Sequence, residues 1–144
     1  MNGAVAGTIF EHFTGPPTAE LLGWRLLSLD AEAGRIEIGF DGKREFTNPA
    51  GYVQGGFLTA MLDDAMGPVV AAHTNGASFP TTIDLQVQFL RPVRPGPIRV
   101  VARVVQLGKA IGFIEGELFD QNDKLAARAT ASAALVAFPT QRAQ

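Results

Sequence analysis

Residues Gly55 to Ala72 read Gly-Gly-Phe-Leu-Thr-Ala-Met-Leu-Asp-Asp-Ala-Met-Gly-Pro-Val-Val-Ala-Ala, an almost wholly apolar stretch broken by charge only at Asp63 and Asp64. A helix that is apolar on nearly every face has to be enclosed by other elements, so this stretch predicts one buried helix at the centre of the fold. A carboxylate in such surroundings is costly unless it is paired, hydrogen-bonded or protonated. Two adjacent aspartates there signal a partner or a task. Pro68 removes an amide and crowds the carbonyl four residues back, that of Asp64, which predicts a bend beside the pair. Asn75-Gly76 is a good stop signal.

What encloses the helix is read from the rest of the chain. Trp24 to Asp30 and Arg35 to Asp41 read as two strands joined by a turn at Ala31-Glu32-Ala33-Gly34. Polar Lys43 to Gly51 is a loop. After the helix, Thr82 to Phe89 alternates so that Ile83, Leu85, Val87 and Phe89 share one face. Ile98 to Gln106 follows, with Arg99 and Arg103 on one face. Ala110 to Asp120 and Leu125 to Phe138 are joined by a turn at Gln121-Asn122-Asp123. The last strand sets Ala127, Ala129, Ala131 and Ala133 on one side, small enough for a bulky element to approach. The fold expected is α+β: a curved antiparallel sheet of about six strands wrapped around one apolar helix. The sheet's edges invite pairing with another copy. Thr8 to Phe13 (about 8–14 at its widest) is a candidate short helix stopped by Gly15-Pro16-Pro17, and about 139–144 is a tail. A single domain over 1–144 is expected, since this length supports one substantial core.

Composition narrows the chemistry. Twelve basic residues against fourteen acidic ones, net charge −2, give no surplus to attract nucleic acid or an anionic membrane. The chain has no cysteine, which removes disulfides, thiolate metal sites and a cysteine nucleophile. Two histidines far apart, His12 and His73, argue against a histidine-rich metal site. No metal or other cofactor is expected. The first residues lack a signal-peptide pattern and Asp63 and Asp64 interrupt the best candidate for a membrane span, so a cytoplasmic protein is the default expectation. No G-x-S-x-G elbow is present.

Asn48, the run Gln54-Gly55-Gly56, Asp63, the strand start Thr82-Ile83-Asp84 and the pair Arg91-Pro92 occur in an order that resembles the hotdog-fold acyl-CoA thioesterases of the phenylacetate-pathway (PaaI-like) type. The resemblance runs from about Phe10 to Phe138. The usual pattern has Asn, five residues, His-Gly-Gly, and an acidic residue nine positions after the His; here Gln54 stands where the His is usual. The resemblance implies a hotdog fold whose subunits pair their sheets and share active sites, as a dimer or a dimer of dimers. It implies hydrolysis of an aryl- or fatty acyl-CoA to free acid and CoA thiol. Asp63 would be the nucleophile or general base. The Gly55 amide would hold the thioester carbonyl, Asn48 would position water or substrate, and Thr82 would assist by hydrogen bonding. Gln54 keeps a positioning role, because an amide donates and accepts hydrogen bonds, but it cannot titrate.

The residues support this reading on their own terms. Thioester hydrolysis needs a donor aimed at the developing oxyanion and a carboxylate near the carbonyl carbon. A Gly55-Gly56 helix start offers free amides, a favourable dipole and room for close approach. Eight residues of helix rise roughly 12 Å, too far for the Gly55 amide and Asp63 of one chain to meet at one carbonyl. Pairing the helix start of one subunit with Asp63 of another removes that obstacle. Asp64 is read as a paired or interface carboxylate. Arg91, Arg94 and Lys109 are candidates for the phosphates of coenzyme A, with solvated strand-end charges as the plainer reading. Two other functions compete: an acyl-CoA-binding hotdog domain without turnover, and a hydratase or dehydratase on the same fold. The last needs a histidine beside the carboxylate, which neither His12 nor His73 supplies.

Overall fold

A computed structural model describes residues 5–12 and 14–138. Phe13 and the expected tail at 139–144 lie outside the described residues. After a 3₁₀ turn at Ile9–His12 come α1 (Pro17–Leu22), β1 (Arg25–Asp30), β2 (Arg35–Gly42), a second 3₁₀ turn at Arg44–Phe46, α2 (Gly55–His73), β3 (Ser78–Phe89), β4 (Gly96–Leu107), β5 (Ile111–Phe119) and β6 (Leu125–Ala137). The six strands form one antiparallel sheet in the order β1-β2-β4-β5-β6-β3. Two strands, one long helix and four strands is the expected order.

The sheet packs against α2. Leu58, Met61, Leu62, Ala65, Met66, Val69 and Val70 are buried against Ile36, Ile38, Phe40, Val100, Ile114 and Leu118 in one contiguous core. Burying each large side chain contributes about 1.5–3 kcal/mol, so the helix is held mainly by this face. Ala127, Ala129, Ala131 and Ala133 of β6 are buried as expected. On the outer face Arg35 and Arg99 both meet Glu37, Arg99 also meets Asp123, and Arg103 meets Glu117. Arg99 and Arg103 therefore do share one face.

Three readings of the sequence need correction. The helix is not enclosed all round: Gly56 and Asp63 are exposed, and Thr59 and Ala60 between them and Gly67 one turn beyond are only half-buried. These positions recur at helical spacing and form one open face. The alternation of β3 is broken as well. Thr82 pairs with Ala133 and Asp84 with Ser132, leaving Ile83 as a bulge that is 60% exposed. The bulge lets Thr82 and Leu85, three residues apart, both turn inward. Finally, the candidate helix at Thr8 to Phe13 is only a 3₁₀ turn at Ile9–His12, and Pro17 beyond it starts a helix that the sequence reading left out. Pro17 occupies the first turn of α1, where a missing amide costs nothing, and Gly23 closes the helix at φ 72°. A Cβ at Gly23 would run into the Asp41 side chain, and the left-handed φ itself favours glycine.

Pro68 lies inside α2, which continues unbroken through it. The Asp64 carbonyl that Pro68 leaves without an amide accepts a hydrogen bond from the Trp24 indole Nε1–H at 3.1 Å. Trp24 thereby ties the N-terminal segment to the middle of the helix. Trp24→Phe is expected to destabilise the chain by about 1–2 kcal/mol, because it strands a half-buried acceptor. In a Pro68→Ala background the restored amide takes over that carbonyl and the penalty should shrink. A double-mutant cycle by urea melts checks this; equal Trp24→Phe penalties in both backgrounds would disprove the link.

Candidate active site

Asp63 projects from the open face of α2 toward β3. The Thr82 hydroxyl donates to its Oδ1 at 3.0 Å, and Oδ2 takes no hydrogen bond among the described residues. The Ile83 bulge is what turns Thr82 to the helix. Asp63, Asp64 and Thr82 line a cavity of about 1030 Å³. Its other walls are mostly apolar: Phe57 and Ala60 on the helix, Phe79 and Pro80 on β3, and Phe10, Ala19 and Trp24 from the N-terminal segment. Phe10 and Trp24 meet edge to face at 5.5 Å, and Phe57 stacks on Phe46 at 4.1 Å. A hollow of this size and polarity suits a small organic group better than an ion.

The other half of the predicted site sits at the start of the helix. The loop before α2 is braced by Asn48, whose Oδ1 accepts from the Ala50 and Tyr52 amides at 3.0 and 3.1 Å. Its side chain holds the turn, leaving only the amide nitrogen for another partner. The Gln54 amide donates to the Phe46 carbonyl, and the Gln54 carbonyl accepts from Phe57 and Leu58. The Gln54 side chain is exposed and does not cap the helix. No hydrogen bond from the Gly55 or Gly56 amide forms among the described residues. The Phe89 ring lies against Gly55, where an added Cβ would come within 3.0 Å of it, whereas Gly56 faces open space.

Asp64 is half-buried, and no partner is found for its Oδ2 among the described residues. The pairing expected for it is therefore absent from these contacts. Burial raises its pKa from the ordinary 3.8 to about 6, with the neighbouring Asp63 charge adding to the effect. The folded chain thus holds this proton more tightly than the unfolded chain. The penalty is absent below about pH 3, where both states are protonated, grows as pH rises through the ordinary value of 3.8, and is complete above the folded value of about 6. Asp64→Asn should accordingly stabilise the protein by about 2 kcal/mol near pH 7.5, after allowing for partial solvent screening, and by almost nothing near pH 3. Urea melts at the two pH values test this; an equal gain at both would overturn it.

The thioesterase superfamily model matches residues 50–127, more than half of the chain. The chain belongs to the thioesterase superfamily. A protein from Saccharolobus solfataricus named for an inferred esterase activity is 31% identical over 104 residues, 72% of this chain and 74% of that one. Among solved structures, a phenylacetic acid degradation-related protein from Ralstonia eutropha is 37% identical, with a TM-score of 0.81 over 86% of this chain and 93% of that one. The PaaI protein from the phenylacetic acid degradation operon of Escherichia coli has a TM-score of 0.77 at 21% identity, covering 85% and 86%, a likeness of fold. This thioesterase is thus a hydrolase with the hotdog fold and is PaaI-like.

In one protomer of the thioesterase the predicted residues fall into separate groups. Asp63 and Thr82 meet at mid-helix. Asn48, Gln54, Gly55 and Gly56 gather at its start, next to the segment bearing Arg91, since Val53 donates to the Val93 carbonyl. Arg94 lies over the Tyr52 ring at 5.1 Å. Lys109 sits in the β4–β5 turn, at the far end of β4 from the Arg91 loop. Ten or so residues of strand put roughly 33 Å between those ends, so one coenzyme cannot touch Arg91 and Lys109 of the same protomer. The sequence reading missed Phe10, α1 and Trp24 as cavity walls. The pattern Pro17-Thr-Ala-Glu-Leu-Leu-Gly23, proline at the helix start and glycine past its end, was the signal for α1.

Proposed function

We propose that this thioesterase hydrolyses acyl-CoA thioesters of the aryl or fatty type, with Asp63 as the catalytic carboxylate. The observation that carries the reading is Asp63 itself: an exposed carboxylate, held on one oxygen by Thr82, in the wall of a large apolar cavity. The acyl group enters the cavity and its carbonyl carbon comes to Asp63. Acting as general base, Asp63 takes a proton from water as the water oxygen bonds to the carbonyl carbon. The resulting oxyanion accepts hydrogen bonds from the Gly55 amide, aided by the positive end of the helix dipole. The C–S bond then breaks, and the departing thiolate takes the proton from Asp63. The alternative use of the carboxylate, direct attack through an acyl-aspartyl anhydride, differs in leaving a solvent oxygen on Asp63.

Gly55 and Asp63 of one helix are roughly 12 Å apart along its axis, so the active unit is a dimer in which each site takes Gly55 from one protomer and Asp63 from the other. The unpaired edge of β3, twelve residues long with Phe79, Ile83 and Phe89 exposed along it, supports this pairing. Asn48 and Gln54 orient water or substrate at the helix start, Gly56 leaves room for the thioester, and Arg91 and Lys109 come to the coenzyme phosphates from different protomers. The test is thiol release from a panel of aryl- and alkanoyl-CoA esters, read with a thiol dye. The protein contributes no background, since it has no cysteine. Tight binding without release would favour the non-catalytic binding domain; formation or loss of a conjugated double bond would favour the hydratase.

A further inference from the structure

Two residues at the helix start are placed in ways that folding alone does not require. Gly55 is a poor residue for a helix, and its φ lies outside the left-handed range, so its backbone does not demand glycine. Phe89 is a large apolar side chain left 52% exposed, whereas Leu85 and Val87 of the same strand pack against the core. Each accounts for the other. The Cζ, Cε1 and Cε2 atoms of the Phe89 ring lie 3.0, 3.3 and 3.4 Å from where a Cβ of residue 55 would stand, so a methyl group there has to displace the ring. Gly56, one residue on, faces open space and has no such neighbour. The chain that carries the ring is fixed by pairing of Phe89 with Ala127 and by the Leu90 amide, which donates to the Ala126 carbonyl at 2.8 Å. The residue beneath the ring is fixed by the Thr59 hydroxyl, which donates to the Gly55 carbonyl at 2.8 Å. The ring thus covers a Cα one bond away from the Gly55 amide.

We infer that Phe89 is a positioning residue for hydrolysis: its ring shields one flank of the Gly55 amide from water and leaves the other flank to the thioester carbonyl. The inference rests on the thioesterase reading above, in which that amide receives the oxyanion. Water beside a donor competes for its N–H and screens its partial charge. A hydrocarbon ring does neither, so the hydrogen bond to the oxyanion is stronger beside it. The ring also narrows the directions from which a carbonyl can reach the amide. Glycine at position 55 is what admits the ring this close. The benefit is greatest for the charge that develops in the transition state and small for the neutral carbonyl of bound substrate. Loss of the ring should therefore appear in kcat more than in KM.

The experiment measures kcat and KM for Phe89→Ala, Phe89→Leu, Gly55→Ala and the double variant Gly55→Ala/Phe89→Ala, with melts and light scattering to confirm that each is folded and of wild-type mass. Phe89→Ala should lower kcat about tenfold and leave KM within about threefold. Phe89→Leu restores an apolar cover and should recover most of the loss. Gly55→Ala keeps the amide and favours the helix but pushes the ring aside, so it should lower kcat about as much as Phe89→Ala. The double variant should be no worse than either single one, because the ring can be lost only once. A mere packing role predicts a different pattern: kcat of folded Phe89→Ala is unchanged, and the double variant recovers what Gly55→Ala lost. A second measurement needs no turnover. The infrared carbonyl stretch of a bound, isotope-labelled ketone analogue, with a methylene between sulfur and carbonyl, reports the strength of the donor. In Phe89→Ala and Gly55→Ala it should move upward, part of the way to its value in Gly55→Pro. An unchanged kcat or an unmoved stretch in folded Phe89→Ala overturns the inference; if Phe89→Ala does not fold, the same results in Gly55→Ala overturn it. Should Gly55→Pro itself leave both unchanged, the fault lies in the oxyanion assignment and the inference falls with it.

Discussion

Asp63→Asn is expected to lower kcat for thioester hydrolysis by about 10³-fold while KM stays within a few-fold of the wild type. The amide fills the same space and still accepts a hydrogen bond from Thr82, so the geometry at mid-helix survives. It can neither take a proton from water nor attack a carbonyl, so both versions of the mechanism stop. Asp63 is exposed and outside the core, so the melting temperature should not fall. It should rise slightly, because the Asp63 charge is one of the two causes that disfavour ionised Asp64. Thr82→Val removes the donor to Oδ1 and should cost less, about tenfold, with kcat falling more than KM changes. Steady-state kinetics and thermal melts on the same preparations read all of this. Substantial thiol release by Asp63→Asn would remove Asp63 from the mechanism.

Much of this was legible before any coordinates, and the failures have physical causes. The central helix, its end at Asn75-Gly76 and the strand order follow from hydrophobic period and turn residues, which act locally. The family resemblance named Asp63 and Thr82 separately; that Thr82 donates to Asp63 is seen only in the fold. The bulge at Ile83 was not legible, because Thr82-Ile83-Asp84-Leu85 alternates without a flaw; the extra residue is set by the register against Ala133 and Ser132. Enclosure of α2 on every side, the other expectation, fails for a similar reason. Gly56, Thr59, Ala60 and Gly67 are small, so their face looks apolar in sequence yet is open in the protomer. Asp63 is therefore not a buried charge; the half-buried carboxylate is Asp64, whose Oδ2 has no partner among the described residues. The helix start cannot be placed against Asp63 from one chain at all, since their meeting depends on a second copy.

Gly55→Pro separates the amide from everything else at the helix start, and should lower kcat by about 10²–10³-fold, the range for losing one oxyanion donor. Proline is tolerated at the first position of a helix, where the amide has no partner within the helix. The residue before a proline must be extended, and Gln54 already is, at φ −61° and ψ 140°. The ring would press on Phe89, whose side chain is 52% exposed and free to move aside. The fold should therefore persist, and only the donor is lost. Mixing then tests whether sites are shared. Gly55→Pro and Asp63→Asn homodimers are each defective at both sites. A mixed dimer pairs the intact Gly55 of one protomer with the intact Asp63 of the other, restoring one site of its two. Subunit exchange in equal proportions makes half of the dimers mixed, so about a quarter of wild-type activity should return under two-fold symmetry. No recovery after verified exchange would mean that Gly55 and Asp63 do not meet across the dimer. In that event the oxyanion donor must be sought within about 4 Å of the carbonyl bound at Asp63 in its own protomer, with the Thr82 hydroxyl as the first candidate.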